Sequence, residues 1–137
     1  MAQYSLSPIF QPQWITGTLI TPAPLVWAPA VAGGGFTVPA GYNFVINTIK
    51  IVNNSTSGGG GGASEQISVW RVNNGASTTN DHNIVPPVFV PPASISFPWF
   101  DLTALWGAVM QEGDYIYMGC GTANICSVHA DGAIIAL

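Results

Sequence analysis

Glycine and proline punctuate this chain too densely for a helical fold. Sixteen glycines and eleven prolines make up a fifth of its 137 residues. Proline lacks a backbone donor and glycine weakens the interior of any regular element. Between these breaks lie short apolar runs with the two-residue period of strands, which excludes a helical bundle and predicts a β-rich domain. Strands are predicted at Gln13–Thr21, Phe36–Val38, Phe44–Val52, Gln66–Val72, Ile84–Val90, Ile95–Leu102, Tyr115–Cys120, Ile125–Ala130 and Ala133–Leu137. Pro86 and Pro87 confine the Ile84–Val90 run to a sheet edge or an irregular strand. Residues 22–35 read as a long irregular crossing and Thr103–Met110 as a single helical turn. Asp131-Gly132, between two apolar runs, predicts a two-residue hairpin.

Residues 1–12 are polar and interrupted by Pro8 and Pro12. They suggest an extended N-terminal arm over residues 1–13, followed by one domain over 14–137. Pairing Cys120 with Cys126 puts Ile116, Met118, Cys120, Cys126, Val128 and Ala130 on one apolar face, and Tyr115, Tyr117, Ser127 and His129 on the other. Pairing Val52 with Gln66 leaves Phe44, Ile46 and Trp70 on a face too apolar to lie bare, so the arm or another protein should cover it. The fold class expected is all-β: a two-sheet antiparallel sandwich, a jelly roll foremost, with an immunoglobulin-like sandwich as the alternative. The Cys120/Cys126 spacing does not suit the inter-sheet disulfide of antibody domains.

Charge narrows the function. Only Lys50 and Arg71 oppose six acids, for a net charge of −4, and charged residues are 6% of the chain. Soluble domains average about 25%. A nucleic-acid partner is excluded, because phosphates need several cations to neutralise them. No apolar run reaches the length of a spanning helix, so no membrane partner is expected. The N-terminus lacks the basic and apolar regions of a secretory signal, which predicts reduced thiols and gives the sequons at Asn53 and Asn54 little weight. A mean hydropathy of +0.38 with so little charge points to a surface covered by a partner.

The candidate chemistry is sparse. Gly58–Gly62 is followed by Ala63-Ser64-Glu65, not by the Lys of a phosphate loop, and reads as a flexible tip between two paired strands. Cys120, Cys126, His82 and His129 do not have the close ligand pairs of a structural zinc site. Ser127, His129 and Asp131 share a strand face without a nucleophile-elbow sequence. Glu112 and Asp114 read as turn residues. The chain is therefore expected to be no enzyme, with no catalytic residues, no cofactor and no metal. Aromatic residues are the informative set, since Trp and Tyr concentrate at interface hot spots. Tyr4, Phe10, Trp14, Trp27 and Trp99 are the expected partner-interface anchors.

Two segments carry a family likeness: FVINTIKIVNNSTS with EQISVWRVNNGAS, and VPPASISFPWFDLTALWGAVMQEGDYIYMGCGTANICSVHADG. In both, a turn such as Pro39-Ala40-Gly41, Pro91-Pro92-Ala93 or Glu112-Gly113-Asp114 opens a strand. Over residues 36–137 the chain resembles small β-sandwich virion proteins of tailed bacteriophages, and among these the capsid cement (decoration) proteins. The resemblance implies a jelly roll, made in the host cytoplasm, that sits on the capsid surface of the virion. It would bind the outside of an icosahedral head and stabilise it by bridging neighbouring major capsid subunits. The low charge and positive mean hydropathy also predict self-association as a dimer or trimer. A receptor- or carbohydrate-binding module of a tail tip or fibre is the alternative.

Overall fold

The computed structural model describes residues 3–27, 35–55, 62–73 and 82–137. Their strands are β1 (Gln3–Trp14), β2 (Ala23–Pro24), β3 (Tyr42–Asn53), β4 (Glu65–Val72), β5 (Asn83–Val90), β6 (Phe100–Asp101), β7 (Val109–Met110), β8 (Tyr115–Cys120) and β9 (Cys126–Ala136). One antiparallel sheet has the order β1-β9-β3-β6, with β7 also on β3, and the other has the order β2-β8-β4-β5. The pairing is nested: β1 with β9, β2 with β8, β3 with β6 and β7, and β4 with β5. A long two-stranded ribbon wrapped around one core generates this order, which is that of a jelly roll. The all-β sandwich expected from the sequence is the fold observed.

Alternation explains the core. On β3, Phe44 and Ile46 point inward, and Ile49 and Ile51 point inward again after a phase change. The change falls at Asn47, where the β3–β9 register shifts between Ile46 and Thr48. One extra residue reverses the facing of every residue beyond it. Both halves of the strand thereby bury their apolar set, and Phe44 and Ile46 need no external cover. Trp27 closes this end of the core. It stacks on Phe10 at 4.5 Å, meets Phe44 edge-on at 5.1 Å, and donates its indole N–H to the Phe36 carbonyl at 3.0 Å.

Several expectations from the sequence are corrected. Residues 3–14 are not a separate arm. They form β1, paired with β9 from Gln3↔Ala136 to Trp14↔Ser127, and Ile9 and Phe10 are buried. Pro8 and Pro12 are tolerated because β1 is an edge strand with register shifts beside both, where a missing donor costs least. The first strand therefore ends where Gln13–Thr21 was expected to begin, and 15–22 continues as irregular chain. Asp131-Gly132 is not a turn but lies inside continuous β9. Gly132 is required there by close packing, since a Cβ would meet the Val45 carbonyl oxygen at 1.9 Å.

The strands expected to pair with each other lie in opposite sheets: β3 with β4, and β8 with β9. The inward sets nevertheless hold. Ile116, Met118, Cys120, Cys126, Val128 and Ala130 are all buried, facing one another across the sandwich instead of side by side. The Phe36–Val38 strand does not form, and Ile95–Leu102 is reduced to β6. Thr103–Leu105 is a single 3-10 turn between β6 and β7. Residues 56–61, with most of the glycine run, lie outside the described residues.

Candidate interaction surface

The outer face of the larger sheet brings together two of the aromatic residues singled out from the sequence. Trp14 is opposite Ser127 on β9, and Ser127 is opposite Val52 on β3. Trp99 leads into β6, where Phe100 and Asp101 pair with Ile51 and Lys50. Trp14 and Trp99 thus stand at the two ends of one cross-strand row, about 14 Å apart at three strand spacings. They are 51% and 44% exposed, which leaves a large face of each indole in water.

The strip between them holds Val52 and several polar groups. His129 lies opposite Lys50 and is exposed. The Ser127 hydroxyl and His129 Nε2 are 3.5 Å apart, and the Asn54 amide donates to the same hydroxyl at 3.4 Å. Lys50 Nζ lies 4.3 Å from the centroid of the Trp99 ring, a cation–π contact that fixes the indole's orientation. Beside Trp14 is a shallow hollow of about 220 Å³ lined by Pro12, Gln13, Trp14, Ser127 and His129. The Gln13 side chain accepts from the Val26 amide and donates to its carbonyl, each at 2.9 Å, locking this edge of the sheet to the following crossing.

Next to Trp99 a turn projects from the domain. Ser94 and Phe97 exchange backbone hydrogen bonds at 3.0 and 3.2 Å, and the Ser94 hydroxyl accepts from Phe97 N–H at 3.1 Å. Ile95 at its tip is fully exposed, and Phe97 is partly so. Ile95 was missed from the sequence because the segment reads as a strand. The signal that locates it is the proline bracket Pro91-Pro92…Pro98, which denies the segment a ladder.

Of the other expected anchors, Phe10 and Trp27 are corrected: both are buried in the domain's own core. Their aromatic bulk closes the sandwich and cannot meet a partner. The Tyr4 side chain lies outside the described residues.

β9 is flanked by β1 and β3, so its backbone N–H groups lie in the plane of the sheet, committed to ladders. None projects from the face to stabilise an oxyanion near Ser127 and His129. Among the described residues, no three His, Cys, Asp or Glu side chains converge to hold a metal ion, and no helix is long and apolar enough to cross a membrane. Asn53 of the first sequon is buried, and its amide donates to the Ala63 and Val90 carbonyls at 2.9 Å each, tying the end of β3 to β5 of the other sheet.

Cys120 and Cys126 meet inside, at one end of the sandwich. Their sulfurs are 3.6 Å apart, and Glu65 Oε2 lies 3.8 Å from Cys120 Sγ. Cys126, hydrogen-bonded to Cys120 and shielded from water, has its thiol pushed well up; the same hydrogen bond draws Cys120 down. His129 points away on the opposite face.

Fold and surface together define a jelly-roll β-sandwich whose larger sheet carries two exposed tryptophans on its outer face. No family model, curated protein or solved structure matches the chain.

Proposed function

We propose that this chain is a structural virion protein that binds the outside of an icosahedral phage head and stabilises it by bridging neighbouring major capsid subunits. The observation that supports this most is the outer face of the larger sheet, where Trp14 and Trp99 present apolar surface around a polar strip that includes Lys50, with the exposed Ile95–Phe97 turn next to Trp99. Charged residues are 6% of the chain, and on this face Lys50 lies opposite Asp101, so docking desolvates few ions of unbalanced charge. Burial contributes about 25 cal/mol per Å² of apolar area. A standard interface covers about 800 Å² per partner, and only the surplus over ordering costs appears as affinity. Repetition over a symmetric shell and self-association as a dimer or trimer add avidity.

The test is add-back. Heads assembled without this chain are mixed with purified protein and sedimented. The protein should co-sediment at a fixed ratio to the major capsid protein and raise the temperature at which heads rupture. Saturable binding without stabilisation, or no binding, contradicts the proposal.

A second reading has its own support. Two exposed tryptophans three strand spacings apart, about 14 Å along the backbone row, with hydroxyl, imidazole and amide groups near them, suit stacking on sugar rings in a receptor- or carbohydrate-binding module of a tail tip or fibre. Titration with soluble host-surface polysaccharide, read by tryptophan fluorescence, separates the two. Saturable quenching lost in Trp14→Ala favours the carbohydrate reading.

A further inference from the structure

We infer that Cys120 and Cys126 are a latent inter-sheet disulfide, closed by a small peroxide oxidant, that staples the two sheets at one end of the sandwich. The inference stands on geometry and does not depend on the proposed capsid role. Cys120 is the last residue of β8 in the smaller sheet, and Cys126 is the first residue of β9 in the larger one. Both are fully buried, and their sulfurs are 3.6 Å apart. A disulfide needs about 2.0 Å between sulfurs, so the two sulfurs must approach by about 1.6 Å. The residues between them form a tight loop in which Gly121, Thr122 and Asn124 are exposed and Asn124 takes a left-handed φ of 62°. Opening this loop alone admits an oxidant as small as hydrogen peroxide.

The surroundings supply a proton acceptor. Glu65 Oε2 is held by the Thr122 N–H at 3.0 Å and faces Cys120 Sγ. The Cys120 thiol gives its proton to Glu65, and its sulfur attacks one peroxide oxygen. The O–O bond breaks, leaving a sulfenic acid on Cys120 and a hydroxide that leaves as water with the proton held by Glu65. The Cys126 sulfur then attacks Cys120 Sγ. The S–S bond forms, the S–O bond breaks, and the departing hydroxide takes the Cys126 proton as a second water. Two thiols and one peroxide become one disulfide and two waters; the sulfurs together lose the two electrons that the peroxide gains.

The test treats the folded, reduced full-length protein with millimolar hydrogen peroxide. Intact mass should fall by two hydrogen atoms. Both alkylatable thiols should disappear together, and the chain should stay monomeric on a non-reducing gel. The thermal midpoint should rise by about 5 °C or more, and dithiothreitol should reverse every change. In Cys126→Ala the attack stops at the sulfenic acid, which dimedone should trap on Cys120. If that variant fails to fold, the wild-type mass and alkylation readouts still decide. Retention of both thiols in the folded chain while urea-unfolded chain is oxidised would overturn the inference. Intermolecular dimers, oxygen addition without hydrogen loss, or a lowered thermal midpoint would do the same.

Discussion

Replacing Arg71 by Met should destabilise the domain by about 2–3 kcal/mol, because Asp114 is buried and depends on it. The Asp114 carboxylate is almost fully buried, and its Oδ2 accepts from Arg71 Nε at 3.0 Å, Arg71 Nη2 at 2.6 Å and the Gln111 backbone N–H at 2.9 Å. Its main chain accepts from Val38 N–H at 3.0 Å, so the residue joins β4, the turn before β8 and the chain entering β3. Breaking one side of a fully buried pair costs about 3–5 kcal/mol. The Arg71 side chain is 34% exposed, so water reaches part of the vacated space and the cost falls below that range, to about 2–3 kcal/mol. Met keeps most of the aliphatic stem and isolates the loss of the guanidinium. With an unfolding entropy of about 2.1 cal/mol/K per residue, the cost corresponds to a fall of roughly 7–10 °C in thermal midpoint. Differential scanning calorimetry of Arg71→Met, Asp114→Asn and the double variant measures it. The double variant should be more stable than Arg71→Met, because no unpaired charge remains. A single variant melting within about 2 °C of the wild type, or a double no better than Arg71→Met, would refute the reasoning.

Trp27→Ala should cost about 3–5 kcal/mol by chemical denaturation, since it removes a fully buried indole stacked on Phe10; Trp14→Ala and Trp99→Ala should each cost under about 1 kcal/mol. Deleting residues 1–12 should abolish the cooperative thermal transition seen by circular dichroism, because it strips most of β1 and with it Ile9 and Phe10 from the core; a truncated chain melting like the full one contradicts the role of β1. Gly132→Ala should leave little soluble folded protein, because its Cβ would strike the Val45 carbonyl on β3. The yield of soluble folded protein by size exclusion checks this.

Local pattern carried much of the fold into view. Alternation located β3, β4 and β8 and identified the inward residues of β8 and β9, because burying one face is a property of each strand taken alone. Pairing was not legible in the same way. In a jelly roll most neighbours in sequence lie in opposite sheets, and two apolar faces meet equally well side by side or across a sandwich. Asp131-Gly132 misled because a glycine demanded by close approach to Val45 looks the same as one demanded by a turn. Pro8 and Pro12 misled because an edge strand tolerates proline. Asp114 read as a solvated turn residue because its partner Arg71 is 43 positions away. Among the surface anchors, Trp14 and Trp99 are exposed while Phe10 and Trp27 are buried. Composition recognises aromatic residues but does not say which of them the core consumes.

The proposed docking surface for a capsid shell is the outer face of the larger sheet. Cryo-electron microscopy of heads decorated with this chain tests it most directly. The account predicts a jelly roll at the junction of neighbouring capsid subunits, with Trp14, Trp99 and the Ile95–Phe97 turn against the shell. Heads without added density, or a domain seated by the β2-β8-β4-β5 sheet with both indoles facing solvent, would contradict it.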